Sequence, residues 1–126
     1  MAKWANDLVM DEALNFITNA DFMFICSAQP ATYAEASATY CLATHAMISA
    51  SFGDPENGDT NGRKMTIEAA PGITVDVSGT ATHIALGIAG PPSTILVYVT
   101  TCTSQVLTAL NVVDIPAWDI EISDAV

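Results

Sequence analysis

The sequence predicts a mainly β protein, an antiparallel β-sandwich or jelly-roll-like domain with one N-terminal α-helix. Several short runs alternate β-branched or aromatic residues with polar ones at a period of two, which is typical of strands. Turns rich in Gly and Pro separate these runs, and one segment near the N-terminus has a helical period instead. We expect a single domain over residues 1–126, with the helix at about residues 2–19 and the β-rich body at about residues 21–123.

The helix is predicted from an apolar stripe at helical spacing, with acidic and amide side chains between its members. The stripe consists of Leu8, Val9, Ala13, Phe16 and Ile17. Asn6 is placed to cap the first turn and Asn19 to end the helix. Trp4 and Met10 widen the apolar surface, so the helix is able to touch a neighbouring molecule as well as its own core.

Strand-like runs and turns alternate after the helix. Residues 21–28 are apolar and predict a buried strand, whereas residues 33–40 fit either a short helix or an extended loop. Residues 41–52 resemble a strand. Its core candidates are Leu42, Met47, Ile48 and Phe52. Residues 53–62 predict a loop, and residues 63–69 a strand that turns two apolar side chains, Met65 and Ile67, inward.

The stretch from residue 73 to residue 122 is predicted to organise the sheet. It contains four strand-like runs, at residues 73–77, 80–88, 94–103 and 112–123, joined by short turns. This order favours an antiparallel meander with one wet face. The third run is apolar on both faces and is predicted to be central, whereas Pro116 restricts the first half of the fourth run to an edge or a bulge.

The charge of the chain excludes some partners and favours others. Apolar residues make up 51% of the chain and charged residues 13%. The net charge is −11, because the chain contains 14 acidic residues and only three basic ones, Lys3, Arg63 and Lys64. This balance disfavours binding to nucleic acid and to anionic membranes. A partner should be basic or apolar, and so little charge favours an oligomer that covers part of the apolar surface.

Targeting and cysteine signals are weak. Acidic residues near the N-terminus (Asp7, Asp11 and Glu12) stand where a signal peptide needs an apolar region, so we expect no secretory signal. Residues 81–99 are apolar but contain Gly90, Pro91 and Pro92, which argues against a spanning helix. The odd number of cysteines, at unrelated spacings, predicts buried free thiols. They are Cys26, Cys41 and Cys102.

No pattern predicts catalysis, a cofactor or a metal. The loop with Asp54, Glu56, Asn57, Asp59 and Asn61 offers oxygen ligands for calcium, but it lacks EF-hand spacing, so a solvated turn is favoured. Three further groups are interpreted as structural rather than catalytic or metal-binding. These groups are the Cys41–His45 pair, His83, and the Asp119–Glu121 pair, which is expected either to be solvated or to form a salt bridge to a basic partner. Nucleophile-elbow, phosphate-loop and dinucleotide motifs are missing from the sequence, and we expect no enzyme activity.

Six stretches, in order, resemble a family of small structural proteins of tailed double-stranded DNA phages. They read KWANDLVMDEALNFI, CSAQPATYAEA, GDTNGRK, GITVDVSGTATHIAL, LVYVTTCTSQ and IPAWDIEI. The resemblance implies a virion component and, within the virion, a head decoration (cement) protein made in the host cytoplasm and bound to the outer surface of the head. Its implied partners are the major capsid protein and further copies of itself. The chain departs from the family in having few lysines and in having Leu110 where glycine is expected.

Aromatic residues and Met concentrate at interface cores, so they supply the candidate contacts of a protein with this task. The candidates are Trp4, Met10, Tyr33, Tyr40 and Phe52. Two alternatives stay open at this point. One is another virion position, in a connector, tail or fibre, and the other is a carbohydrate- or ligand-binding module that would use Trp118 and the loop at residues 54–61.

Overall fold

Runs in which apolar and polar residues alternate fold into antiparallel strands in the computed structural model. The structure describes residues 5–90 and 93–123. The helix and the strands have the following bounds in chain order: α1 (Asp7–Ile17), β1 (Phe22–Cys26), β2 (Cys41–Ala46), β3 (Glu56–Asn57), β4 (Arg63–Ile67), β5 (Ala70–Thr74), β6 (Gly79–Ile88), β7 (Ile95–Leu107), β8 (Val112–Ile115) and β9 (Trp118–Ile122). A π-helical turn at Glu35–Thr39 and a 3-10 turn at Ser49–Ser51 connect some of them. The predicted mainly β, antiparallel, sandwich-like fold with one N-terminal helix is confirmed.

The chain divides into two compact units, and the first is built on α1. It comprises residues 5–19, 48–69 and 116–123, with a three-stranded sheet in the order β3–β4–β9. α1 packs against the central strand, β4. Met65 and Ile67 on β4 are fully buried, which confirms their predicted inward direction. Ile120 of β9 lies opposite Met65 in the antiparallel ladder and completes this core.

The second unit comprises residues 20–47 and 70–115 and contains a four-stranded and a two-stranded sheet. In the larger sheet the order is β2–β1–β6–β7, with every pair antiparallel. β1 lies inside it, and four of its five residues are buried, as the apolar sequence FMFIC predicts. β5 and β8 form the smaller sheet. Because nothing tests the single-domain expectation, it stays a prediction.

One face of the four-stranded sheet is covered by the segment at residues 33–40. Its π-helical turn places Ala36 in a buried cluster with Phe24, Cys26 and Ala85. The expectation of one wet face fails at the centre of β6, where residues 84–87 are all buried, so both faces of the sheet are covered there. Sequence alone left this segment open between a short helix and a loop, because its small residues carry no clear period.

The predicted four-stranded meander over residues 73–122 is wrong. β6 and β7 pair with each other, but β5 pairs with β8, and β9 pairs with β4 in the other unit. Pro116 falls between β8 and β9, so one run becomes two strands in different sheets. β7 is at the end of its sheet rather than in the middle. Apolar side chains on both faces of a strand therefore do not prove that the strand is central.

The residues 41–52 form a strand only in their first half, β2. Leu42 is buried there as predicted, and Met47 and Phe52 are half-buried. The prediction that Ile48 is a core residue is wrong, because its side chain is largely exposed just before the 3-10 turn. β2 ends at Ala46, and a turn follows. The alternation of inward and outward side chains that holds in a strand therefore does not predict burial beyond this residue.

Candidate interaction surface

One narrow face of α1 is buried. The Asn6 side chain caps the helix, since its Oδ1 accepts a hydrogen bond from the backbone N–H of Leu8 at 2.8 Å, as predicted. Met10, Leu14 and Ile17 are spaced at i, i+4 and i+7 and are all buried. These three side chains form the core face of α1.

A second apolar face of α1 is exposed. Leu8 is 70% exposed, Val9 64% and Phe16 51%, and Glu12 and Ala13 between them are exposed as well. At about 100° per residue these five residues occupy an arc of about 140° on the helix. We refer to them as the outer face of α1. Large apolar side chains grouped on one exposed face are typical of interaction surfaces, whereas single exposed ones are ordinary.

The predicted apolar stripe of the helix is therefore wrong as a core face. Of its five members only Ile17 is buried, and the core uses Met10 and Leu14 instead. The sequence did contain a signal for the outer face, because the apolar residues of α1 are too many for one stripe. Met10 belongs to the core face rather than to the excess, which lies at Leu8, Val9, Ala13 and Phe16; the prediction for Trp4 falls outside the described residues.

Arg63 on β4 binds a carboxylate of α1 and thereby anchors the helix to the sheet. Its Nε donates to Asp11 Oδ1 of the helix at 2.7 Å, and its Nη1 donates to Asn57 Oδ1 at 2.7 Å. Hydrogen bonding to Asp11 raises the pKa of Arg63 above its usual value. Asp11 is three residues from Leu14 of the core face and three residues from Leu8 of the outer face, so this ion pair ties α1 to β4 along the boundary between the two faces.

Lys64 binds carboxylates of its own sheet. Its Nζ is 2.6 Å from Asp59 Oδ1, 3.6 Å from Asp119 Oδ2 and 3.9 Å from Glu56 Oε1. The hydrogen bond to Asp59 raises the pKa of Lys64, and Glu121 lies opposite Lys64 in the β4–β9 ladder. Within the described residues both cationic side chains are thus engaged by acidic residues of the first unit, so they are not available to an anionic partner.

The same ion pairs occupy the loop that was considered for calcium. Asn57 and Asp59 direct their oxygens at Arg63 and Lys64, whose charges take the place that a metal ion would need. Over residues 5–90 and 93–123 there is no group of three His, Cys, Asp or Glu side chains that could hold a metal. The loop at residues 53–62 forms as predicted, except that its two residues in β3 pair with β4 and extend the sheet.

The predicted contact residues of the first unit have different positions. Trp4 lies outside the described residues. Met10 is 4% exposed in the core face of α1, so a partner cannot reach it in the folded chain. Phe52 is half-buried and forms a backbone bridge with Ile67. Trp118, considered for sugar binding, is half-buried opposite Ile67 on β9.

Tyr33 and Tyr40, the contact candidates of the second unit, both pack on the cluster that contains Phe24. The ring of Tyr33 meets the ring of Phe24 edge-on, with centroids 5.6 Å apart. Both tyrosines are half-buried and cover a face of their own sheet. Contact of these two residues with a partner stays a prediction.

Side chains that could carry chemistry are engaged inside the second unit. His83 Nδ1 is 2.8 Å from Thr82 Oγ1, and Cys41 Sγ is 3.3 Å from Thr44 Oγ1. Burial raises the pKa of the Cys26 thiol to about 12, with smaller contributions from the other two cysteines. Such a thiol is almost entirely protonated near neutral pH, and it is a poor nucleophile in that form.

Leu110 has an unfavourable backbone conformation. Its φ is +75°, the left-handed region that favours glycine, and its side chain is 86% exposed. We expect Leu110→Gly to raise the free energy of unfolding by about 0.5–1 kcal/mol, because the strain is relieved and little burial is lost. Leu110→Ala keeps a Cβ at this φ and is the matched control, expected to be near neutral. Urea denaturation of the three proteins measures both effects, and equal stability of the Gly and Ala variants would contradict the assigned strain.

Comparison with known proteins adds no family assignment: no family model, curated protein or solved structure matches the chain. Among the described residues, none of the helical segments has the length and apolar character needed to cross a bilayer. The outer face of α1 is therefore the candidate site that the geometry itself supplies.

Proposed function

We propose that the chain is a non-enzymatic structural protein of a tailed-phage virion, a decoration (cement) protein that binds the major capsid protein on the outside of the head. The observation that carries this proposal is the outer face of α1, which leaves Leu8, Val9 and Phe16 exposed. A cement protein acts by burying surface across subunit seams, and an exposed apolar face on a supported helix suits that task. The resemblance of six sequence stretches to phage structural proteins supports the virion assignment.

The charges favour a cationic partner for this face. Glu12 lies within the outer face, and the first turn of the same helix contains a second acidic residue, Asp7. Arg63 and Lys64 are already paired with acidic residues of the chain. A capsid groove that is apolar and carries Lys or Arg at its rim would therefore complement the outer face of α1, whereas a second copy of this acidic helix would repel it.

We expect Phe16→Ala and Leu8→Ala each to weaken binding to capsid shells by about tenfold or more, because apolar anchors dominate interface energies. Shells of the same phage assembled without this protein are mixed with the purified chain and sedimented, and the bound fraction is measured against concentration. Ile48→Ala is the matched control, since Ile48 is also apolar and exposed in the same unit but lies outside α1.

Two outcomes would overturn the proposal. Wild-type protein that never sediments with shells would exclude the cement function, and electron microscopy that places the copies at the neck or the tail would favour a connector or tail component. A third outcome concerns the surface only. If Phe16→Ala and Leu8→Ala bind as well as the wild type, the contact lies elsewhere, and Tyr33 and Tyr40 become the next residues to truncate.

A further inference from the structure

The two edges of the four-stranded sheet differ. Along β2, the outer edge is covered at Leu42 and Ala43: Leu42 accepts backbone hydrogen bonds from Asp76 at 2.8 Å and from Val77 at 3.1 Å, and Ala43 bridges to Val75. Along β7, residues 99–107 form no backbone hydrogen bond to any described residue outside β6. This outer edge of β7, here named the open edge, is a row of main-chain donors and acceptors that another strand could pair with.

The open edge lacks the charged residues and prolines that commonly protect edge strands. The sequence of β7, ILVYVTTCTSQVL, contains neither Pro nor a charged residue. It lies within residues 77–113, a run of 37 residues without Asp, Glu, Lys or Arg. Its composition of Val, Ile, Thr and Tyr instead favours strand pairing. The side chains of residues 96–100 are half-exposed, so a neighbouring strand would cover more of them.

Two irregularities in β7 limit where a strand can pair. The register against β6 shifts between Leu86 and Gly87 and again between Ala81 and His83. Between these shifts the ladder is regular, from Tyr98 opposite Leu86 to Thr101 opposite His83. Bulges twist an edge strand and restrict sheet extension. We expect pairing at the open edge to centre on the regular segment at residues 99–101, which also restricts its register.

The charge distribution indicates which partner strand pairs with the open edge. Two copies of a chain with a net charge of −11 repel each other, so a stable self-contact must bring together surfaces without acidic residues. β7 and its neighbour β6 contain none, which leaves nothing at the open edge to attract a basic peptide. A second β7 has the same neutrality and the same strand-forming composition. Antiparallel pairing about a twofold axis is closed and uses the same surface on both copies.

We infer that two copies of this chain associate through the open edge, β7 against β7, and join their four-stranded sheets into one eight-stranded sheet. The inference goes beyond the proposed function, which concerns the capsid contact, and does not require binding to the capsid. The outer face of α1 carries Glu12 and suits a cationic partner, whereas the open edge is neutral and suits a second copy. The two surfaces therefore have different occupants.

The test introduces charges at Thr101, an exposed residue in the regular segment of β7. We expect the wild-type chain to be a dimer by multi-angle light scattering, and Thr101→Lys and Thr101→Glu each to weaken dimerisation by about tenfold or more, since like charges meet across the twofold axis. An equimolar mixture of the two variants should dimerise again. Thr44→Lys is the matched control, because Thr44 is exposed on β2, at the opposite edge of the sheet from β7, and its substitution should leave the dimer intact.

Amide hydrogen exchange of the wild-type chain is a second test of β7 pairing, and it requires no variant. In the wild-type chain, the backbone amides of residues 99–101 should become more protected as the protein concentration rises. A wild type that stays monomeric up to its solubility limit, or Thr101 variants that dimerise as strongly as the wild type, would overturn the inference. Sedimentation with capsid shells on the same samples separates the two proposals, because a dimer that ignores shells contradicts the proposed function alone.

Discussion

Leu14→Ala is expected to lower the free energy of unfolding by about 2–5 kcal/mol, which is the usual range for removing a buried leucine side chain. Leu14 is fully buried between Met10 and Ile17 on the core face of α1. Its truncation removes the apolar contacts and leaves a cavity where the helix packs on β4. A loss of this size is a large fraction of the total stability of a typical domain. Chemical denaturation followed by circular dichroism measures it.

Leu8→Ala is the matched control, because it makes the same chemical change on the same helix. Leu8 is 70% exposed, so its truncation should alter the free energy of unfolding by less than about 0.5 kcal/mol. The same variant is expected to weaken capsid binding by about tenfold or more, so stability and binding respond to different faces of one helix. Equal destabilisation by Leu14→Ala and Leu8→Ala would contradict the assignment of the core face and the outer face.

Gly62→Ala is expected to lower the free energy of unfolding by about 3 kcal/mol or more, from two causes that act together. Gly62 has a φ of +72°, where a side chain is strained. In addition, a Cβ at this position would overlap the backbone carbonyl of Ile122 and lie 2.9 Å from the Cα of Ser123. Both neighbours are backbone atoms at the end of β9, so relief requires β4 and β9 to separate. Thermal and urea denaturation measure the loss.

Gly72→Ala separates the two causes. Gly72 has a similar φ of +70°, but no atom lies within 4 Å of the position that a Cβ would take. Its substitution should therefore show the backbone strain alone, with a loss of about 1–2 kcal/mol. The difference between the two variants measures the steric overlap at Gly62. If Gly72→Ala were as damaging as Gly62→Ala, the close approach of β4 and β9 would not be the main cause.

The charge distribution gives the molecule two kinds of surface. Both cations of the described residues lie on β4 and bind acidic groups of the first unit, where they hold α1 and the loop at residues 53–62 in place. The second unit contains the uncharged run of residues 77–113. A partner that carries positive charge is favoured only where acidic groups are exposed, and a second acidic copy only where they are missing. The two proposed surfaces follow this division.

Local signals predicted the elements well. The cap at Asn6, the strand at β1, the inward residues of β4 and the loop at residues 53–62 were all identified from the sequence, because each depends on neighbouring residues. The π-helical turn was not resolved, since the small residues at 33–40 satisfy several local patterns. Of the predicted contact residues, Met10 lies in the core. The exposed apolar residues of α1 were not among the predicted contacts.

The sequence by itself determined the class of the fold, the position of the helix and most strands, and a strongly acidic chain with a long uncharged run. These properties depend on period, turn chemistry and composition, which are local or additive. Only the tertiary structure decided which face of α1 is buried, because Leu8 and Leu14 are equally apolar and the ion pair of Asp11 with Arg63, 52 residues away, helps to set the rotation of the helix. It also decided that β7 is an edge and that β8 and β9 belong to different sheets. Strand partners are set by pairing between distant segments, and the period of a single strand carries no information about its neighbours.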